Sequence, residues 1–323
     1  MNGIENIGNT CFFNSVIQLL SSNTLLRNYI LSETYDRSLL DVNEGYNKLL
    51  KLLKLIIKNI GNDDIEKKYI ILFFKVLEIL SKKDSLALNI CDLSIHNDSE
   101  ELLSYILDKL EDYTRNNFTI KGNTKSVKLF NKHFNNKQNI ITKLFKYQYV
   151  TQQECLKCEN VTTLKYDNYS NILKLPIYEN KINTLEQSLN YYFNLKKIDE
   201  YHCEKCKNNT EAKDRTLISY CPYILLIQLL RFTNDGSKIN KTIEIPKLLN
   251  FKKYTFNISN NVTYQLSSIV CHTGTLDFGH YISVVNKNNN WYLINDESVD
   301  IINDNQLHNI INNMSYLLCY NKI

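Results

Sequence analysis

Three groups of residues have types and spacings that can do chemistry. The first surrounds Cys11: Phe12, Val16, Leu19 and Leu20 recur behind it at helical spacing, while Gly8, Asn9 and Thr10 suit a turn and an N-cap. Cys11 therefore falls in the first turn of a helix, where unpaired N–H groups and the positive end of the helix dipole favour a thiolate. Asn6, on the incoming loop, has a short amide able to turn to the same point and donate to an oxyanion beside the Cys11 backbone N–H. On these residues alone a nucleophile and an inert core cysteine are equally compatible.

The second group would supply a base. Six histidines compete, and His280 is singled out by the residues after it. His280 opens an alternating run to Val285, and Trp291 to Asn295 lie beyond a polar stretch, the pattern of a β-hairpin. If the turn centres between Lys287 and Asn288, His280 and Asn295 are direct cross-strand partners with Cβ atoms about 4.5–5.5 Å apart. An imidazole N–H then reaches a carboxamide oxygen. Asp296 points to the other face unless a bulge shifts the register, so Asn295 is the expected orienting residue and Asp296 the alternate. His272 is expected to be structural, and Cys91, Cys221, Cys271 and Cys319 core residues.

The third group is two Cys-x-x-Cys pairs, Cys155 with Cys158 and Cys203 with Cys206. Each knuckle sets two thiolates on one side of a tight turn, and two knuckles complete a tetrahedral site suited to structural Zn²⁺. His202 stands beside a set that is already full.

The elements that must carry these groups are partly visible. Leu49, Leu50, Leu53, Ile56 and Ile57 share a helical face, residues 69–80 read as a second buried helix, and residues 223–232 as a strand buried on both faces. In His96-Asn97-Asp98-Ser99-Glu100-Glu101, Asp98 and Glu101 have the spacing of a capping box at the start of another helix. The 323 residues are 43% hydrophobic, ample for a large core, and a formal net charge of +4 is too small to argue for nucleic acid or a membrane surface as the main partner. The N-terminus shows no basic leader, and nine cysteines then point to thiols and metal ligands in the cytoplasm or nucleus rather than to disulfides.

Asn6-Ile7-Gly8-Asn9-Thr10-Cys11-Phe12-Phe13-Asn14-Ser15 resembles the cysteine box of the ubiquitin-specific proteases, close to Asn-Leu-Gly-Asn-Thr-Cys-Tyr-Met-Asn-Ser. The run from Gly274 to Tyr281 resembles their histidine box, the paired cysteines their fingers subdomain, and residues 233–241 the first of two loops beside their tail channel. The resemblance implies an α+β, papain-like fold as a single catalytic domain: a helical thumb over about residues 1–130, zinc-tipped β fingers within about 140–230 and an antiparallel β-sheet palm over about 223–323. It implies that Asp98 and Glu101 contact ubiquitin's basic tail, with Gly279 leaving room beside the catalytic ring and Tyr281 walling the channel. His96 and Asn97 depart from the family's usual Gln-Gln. For Tyr281 simple packing is an equal reading.

Together these features imply a thiol-dependent deubiquitinase, with Cys11, His280 and Asn295 carrying the chemistry, acting on ubiquitin and ubiquitinated proteins as a monomer. Three alternatives stand beside it: a protease for another ubiquitin-like modifier, a catalytically dead ubiquitin receptor, and a zinc-ribbon nucleic-acid module.

Overall fold

The computed structural model describes residues 2–39, 42–114, 120–122, 124–134, 139–178, 180–233, 235–256, 262–275 and 278–323. The chain begins with helices α1 (Cys11–Ser22), α2 (Thr24–Ile30), α3 (Glu33–Ser38), α4 (Glu44–Lys58), α5 (Asp63–Ser81), α6 (Ser85–Leu88), α7 (Ser99–Tyr113), α8 (Lys125–His133) and α9 (Ile140–Phe145). In α4 the apolar face read from the sequence is the buried one, and Asn43 caps its start by accepting from the Gly45 N–H. Helix α1 is more than amphipathic: every residue from Cys11 to Leu20 is buried. It lies between the other helices and the sheet, so its polar side is covered too and must be satisfied internally. Gln18 donates to the Asn2 carbonyl at 2.8 Å and Ser15 to the Phe12 carbonyl at 3.0 Å. On the opposite side Phe13 packs 5.2 Å from both Phe73 and Phe74, centroid to centroid. Burial of each such ring contributes about 1.5–3 kcal/mol to holding the helix in place.

Strands come next: β1 (Tyr147–Cys155), β2 (Val161–Ser170), β3 (Ile172–Pro176), then α10 (Leu185–Tyr192), β4 (Lys196–Cys203), β5 (Asn208–Tyr220), β6 (Ile224–Leu230), β7 (Leu248–Asn250), β8 (Thr263–Gly274), β9 (Gly279–Lys287), β10 (Asn290–Asn295), β11 (Ser298–Ile302), α11 (Asp304–Met314) and β12 (Ser315–Lys322). The larger sheet runs β11-β10-β9-β8-β12-β6-β3, with β7 beside β8. Its pairs are antiparallel except β3 with β6. β6 lies between β12 and β3 and is buried nearly throughout, as its unbroken apolar run requires. One apolar cluster joins the N-terminal helices to one face of this sheet, and a second packs α10 and α11 on the other.

A separate four-stranded sheet, β2-β1-β5-β4, carries the cysteine pairs at its hairpin tips. The two knuckles are built alike. Glu159 and Lys207, each directly after the second cysteine, have φ of 55° and 54°, and their N–H groups donate back to the carbonyls of Cys155 and Cys203.

The β9–β10 register corrects the sequence expectation. Lys287 pairs with Asn290, so the turn is Asn288-Asn289, one residue later than expected, with φ of 52° and 64°. A two-residue hairpin turn of this hand needs positive φ at both central positions, which asparagine adopts more readily than lysine. Ile294 therefore faces Ser283, and Asn295 pairs with Ser298 on β11 instead of lying directly across from His280. The shift is two in partner number, so His280 and Asn295 still share a face.

Candidate active site

At the start of α1, Thr10 occupies the N-cap position, yet its side chain makes no cap bond. Its hydroxyl instead accepts from the Ile7 N–H at 3.0 Å and donates to Asn6 Oδ1 at 3.2 Å. Helix N–H groups beside Cys11 are thus left without a side-chain cap. The same Asn6 oxygen accepts from the Gly8 and Thr10 N–H groups at 3.2 and 3.1 Å, closing the glycine-containing turn that feeds the helix. Cys11 itself is 2% exposed.

His280 reaches the site from β9. Its Nε2 lies 2.6 Å from Asn295 Oδ1 and 3.8 Å from Asp296 Oδ2. With Nε2 turned to Asn295, Nδ1 is the ring nitrogen left for the thiol. The hydrogen bond with Cys11 is the largest cause that pushes the His280 pKa up to about 9, opposed by burial and aided by Asn295 and by the Asp296 charge.

Asp296 has a position that strand alternation does not reveal. It sits in the two-residue link between β10 and β11 with φ of 50°, which turns its carboxylate toward α1. Oδ1 accepts from Asn14 Nδ2 at 2.8 Å and Oδ2 from Asn6 Nδ2 at 2.9 Å, while its carbonyl accepts from the Ile4 N–H at 2.9 Å. One carboxylate therefore holds together the cysteine helix, the Asn6 turn and the end of the histidine hairpin. Asn14 is the available signal, a polar residue one turn after Cys11 on a helix otherwise read for its apolar positions.

The remaining expected residues divide. Asp98 is the N-cap of α7: one oxygen accepts from the Glu100 N–H at 2.6 Å and the other from Tyr316 Oη at 2.6 Å. Burial raises its carboxyl pKa against those hydrogen bonds. The reciprocal half of a capping box does not form. Glu101 stays exposed, with its pKa raised by partial desolvation and then by Asp98 and Glu100. Glu100 is the buried member, paired with Lys174 at 3.0 Å.

Gly279 leaves room for a buried ring on the neighbouring strand. A Cβ there would lie 2.0 Å from Nε2 of His272. His272 is 3% exposed, its ring 5.3 Å from that of Phe232 and 4.5 Å from that of Tyr281, and burial pushes its pKa down to about 3. It is a neutral core imidazole. Tyr281 is likewise buried, at 5% exposure, in the cluster with α1. Gly279→Ala is expected to displace β9 from His272, lowering stability by about 1–3 kcal/mol and turnover at least ~10-fold, since overpacking a core costs stability and misplacing a catalytic ring by about 1 Å costs rate. Steady-state kinetics with a melting curve checks this. Of the other cysteines, Cys221, Cys271 and Cys319 are buried as expected, whereas Cys91 is only half-buried.

The loop that precedes His280 is described at Thr275 and Phe278, and its Leu276 and Asp277 lie outside the described residues, as does Asn234 of the facing loop. Lys238 ties the two loops: its Nζ donates to the carbonyls of His272 and Gly274 at 2.9 and 3.1 Å. Arg231, 1% exposed, anchors the facing loop by donating to the carbonyls of Ser315, Ile239 and Lys241.

The four paired cysteines place their sulfur atoms within 4.8 Å of one another. Sγ of Cys155 is 3.9 Å from that of Cys206, and Sγ of Cys158 3.6 Å from that of Cys203. A tetrahedral ion with bonds of about 2.3 Å needs sulfurs about 3.8 Å apart. The donor set fits a metal ion, and His202 turns away to Asn209.

A family model described as ubiquitin carboxyl-terminal hydrolase matches residues 2–320. The chain belongs to that family. The chain is 26% identical to the probable ubiquitin carboxyl-terminal hydrolase 8 of Schizosaccharomyces pombe, covering 100% of the chain and 65% of that protein. It is 28% identical to ubiquitin carboxyl-terminal hydrolase 4 of Arabidopsis thaliana, over 94% of the chain and 85% of the relative. Among solved structures, the SAGA Ubp8/Sgf11/Sus1/Sgf73 DUB module bound to ubiquitin aldehyde matches with a TM-score of 0.78 at 22% identity, over 100% of this chain and 70% of that one. The likeness is one of fold: an α+β arrangement of helical thumb, sheet palm and cysteine-tipped fingers.

Proposed function

We propose that the hydrolase cleaves the peptide or isopeptide bond after the C-terminal glycine of ubiquitin, with Cys11 as nucleophile, His280 as general acid and base and Asn295 as the orienting group. The observation that carries this is the line from the Cys11 thiol through the His280 ring to Asn295 Oδ1, 2.6 Å from Nε2. The ring takes the thiol proton, and the thiolate attacks the carbonyl of the glycine. The oxyanion that forms is met by the uncapped N–H of Cys11 and by the second N–H of the Asn6 amide, whose first is held by Asp296. His280 then protonates the leaving amine and activates water to clear the acyl-enzyme. Asp296 positions the site rather than orienting the imidazole directly, because its nearer oxygen is 3.8 Å from Nε2 and both oxygens already accept hydrogen bonds. Exposed Glu101 is the better carboxylate for an arginine of the tail, since Asp98 is committed to its own helix and to Tyr316. Zn²⁺ held by Cys155, Cys158, Cys203 and Cys206 fixes the fingers that grip ubiquitin, and the thiol-rich composition suits the cytoplasm or nucleus.

Coumarin release from ubiquitin carrying a C-terminal aminomethylcoumarin, with ubiquitin-like modifiers bearing the same group alongside, tests the substrate. Release from ubiquitin is expected. Release from another modifier alone, or from none, overturns the reading.

The raised His280 pKa sets the pH behaviour. The imidazolium is retained at neutral pH and lost as pH rises through about 9, so kcat/KM should fall on the alkaline side with a midpoint near that value. Stability from the thiol–imidazole contact has the same sign: it is fully present below the ordinary histidine value of about 6.5 and is lost as pH rises through about 9. In Cys11→Ala the largest cause of the shift is gone, so the ring should titrate at lower pH by NMR. An unmoved titration would contradict the pairing.

A further inference from the structure

At the end of α1 opposite Cys11 lies a cleft of about 680 Å³, walled by the C-terminal ends of α1 and α4, the start of α2, the β9–β10 turn and the end of β12. Along a helix of 12 residues this is roughly 16 Å from the nucleophile. Its floor is polar and ordered: buried Gln18 donates to the Asn2 carbonyl and buried Asn23 to Asn321 Oδ1 at 3.2 Å.

Arg27, Lys58, Lys287 and Lys322 all line it, and no lining residue is acidic. None of the four takes part in an ion pair among the described residues. Part of this has a local reason, because Arg27 and Lys58 stand in the last turns of α2 and α4, where the helix dipole favours cations. Lys287 and Lys322 end strands and have no such reason. Four like charges gathered round one concavity repel each other and focus a positive potential into it, an arrangement that an anion relieves. The volume is that of a small-molecule site.

We propose that this cleft binds a compact anion bearing several phosphate groups, either a soluble polyphosphate or the headgroup of a phosphoinositide. A concavity of this size has no room for a nucleic-acid duplex, and clustered phosphates match four cations with a polar floor. Arg27 can grip one phosphate with two N–H groups while the lysines serve as point charges.

The test titrates the full chain with inorganic tripolyphosphate by calorimetry, and in parallel floats it with phosphatidylcholine vesicles containing phosphatidylinositol 4,5-bisphosphate. Lys58, Lys287 and Lys322 are exposed, so Lys58→Gln/Lys287→Gln/Lys322→Gln should melt as the parent does in the absence of anion. If it does not fold, Lys287→Gln alone serves. Tripolyphosphate binding that weakens steeply with salt and by at least ~10-fold in the triple variant, or several-fold in the single one, supports the proposal with a soluble ligand. Vesicle binding without tripolyphosphate binding, lost in the same variants, supports it with a lipid headgroup. Binding to neither probe, or binding that the variants leave unchanged, overturns it.

Discussion

Cys11→Ala is expected to lower ubiquitin hydrolysis by ~10⁴-fold or more while the protein remains folded. The size comes from the role of the thiol: without it there is no acyl-enzyme, and only positioning and oxyanion stabilisation remain to act on water. The fold should tolerate the change because Cys11 stands at the first turn of α1, whose hold on the molecule comes from Phe12, Phe13, Val16 and Leu20 below it and from Asn14 and Gln18 on its polar side. Steady-state hydrolysis and a melting curve check both halves. Residual activity within tenfold of the parent would mean that another group is the nucleophile.

Metal removal should have the second-largest effect. At its cysteine end the four-stranded finger sheet has little core: β4 is buried fully only at Cys203, and the buried apolar residues Tyr147, Val150, Leu217 and Ile218 lie toward the other end of β1 and β5. Four thiolates on a structural Zn²⁺ contribute apparent binding free energies of about 10–16 kcal/mol, which in such an element is folding free energy. Chelation, or the pair Cys155→Ser with Cys203→Ser, is therefore expected to open the cysteine ends of β1, β2, β4 and β5 to amide exchange. The larger sheet and helices, with their own two clusters, should stay protected. Ubiquitin turnover should fall at least ~10-fold. Stoichiometric zinc by elemental analysis is the companion measurement. A metal-free protein with protected fingers would contradict a structural role for the ion.

Much of the fold and site is legible in the sequence because it is local. The Gly8-Asn9-Thr10 turn before Cys11 and the two Cys-x-x-Cys knuckles are short-range patterns, and the apolar periodicities of α4 and β6 reappear as buried faces. The hairpin is harder. Asn286-Lys287-Asn288-Asn289-Asn290 offers several two-residue turns, and only the tolerance of asparagine for positive φ separates them. Placing the turn one residue early keeps the facing of His280 and Asn295 right and their partners wrong. Asp296 is hidden because strand alternation does not apply inside a tight turn, where positive φ re-aims the side chain toward Asn6 and Asn14, hundreds of residues away in sequence. The neighbour of Gly279 is equally non-local: the glycine lies beside His280 in the chain and against His272 in space.

The central claim is that Cys11, aligned by His280 and Asn295, attacks the carbonyl end of ubiquitin. It is tested most directly by incubating the full chain with ubiquitin whose C-terminus carries a thiol-reactive group, then measuring intact mass and mapping the adduct. One ubiquitin on the parent chain, attached at Cys11 and absent from Cys11→Ala, is the expected result. A folded, zinc-loaded chain that gains no ubiquitin, or gains it on another cysteine, would contradict it.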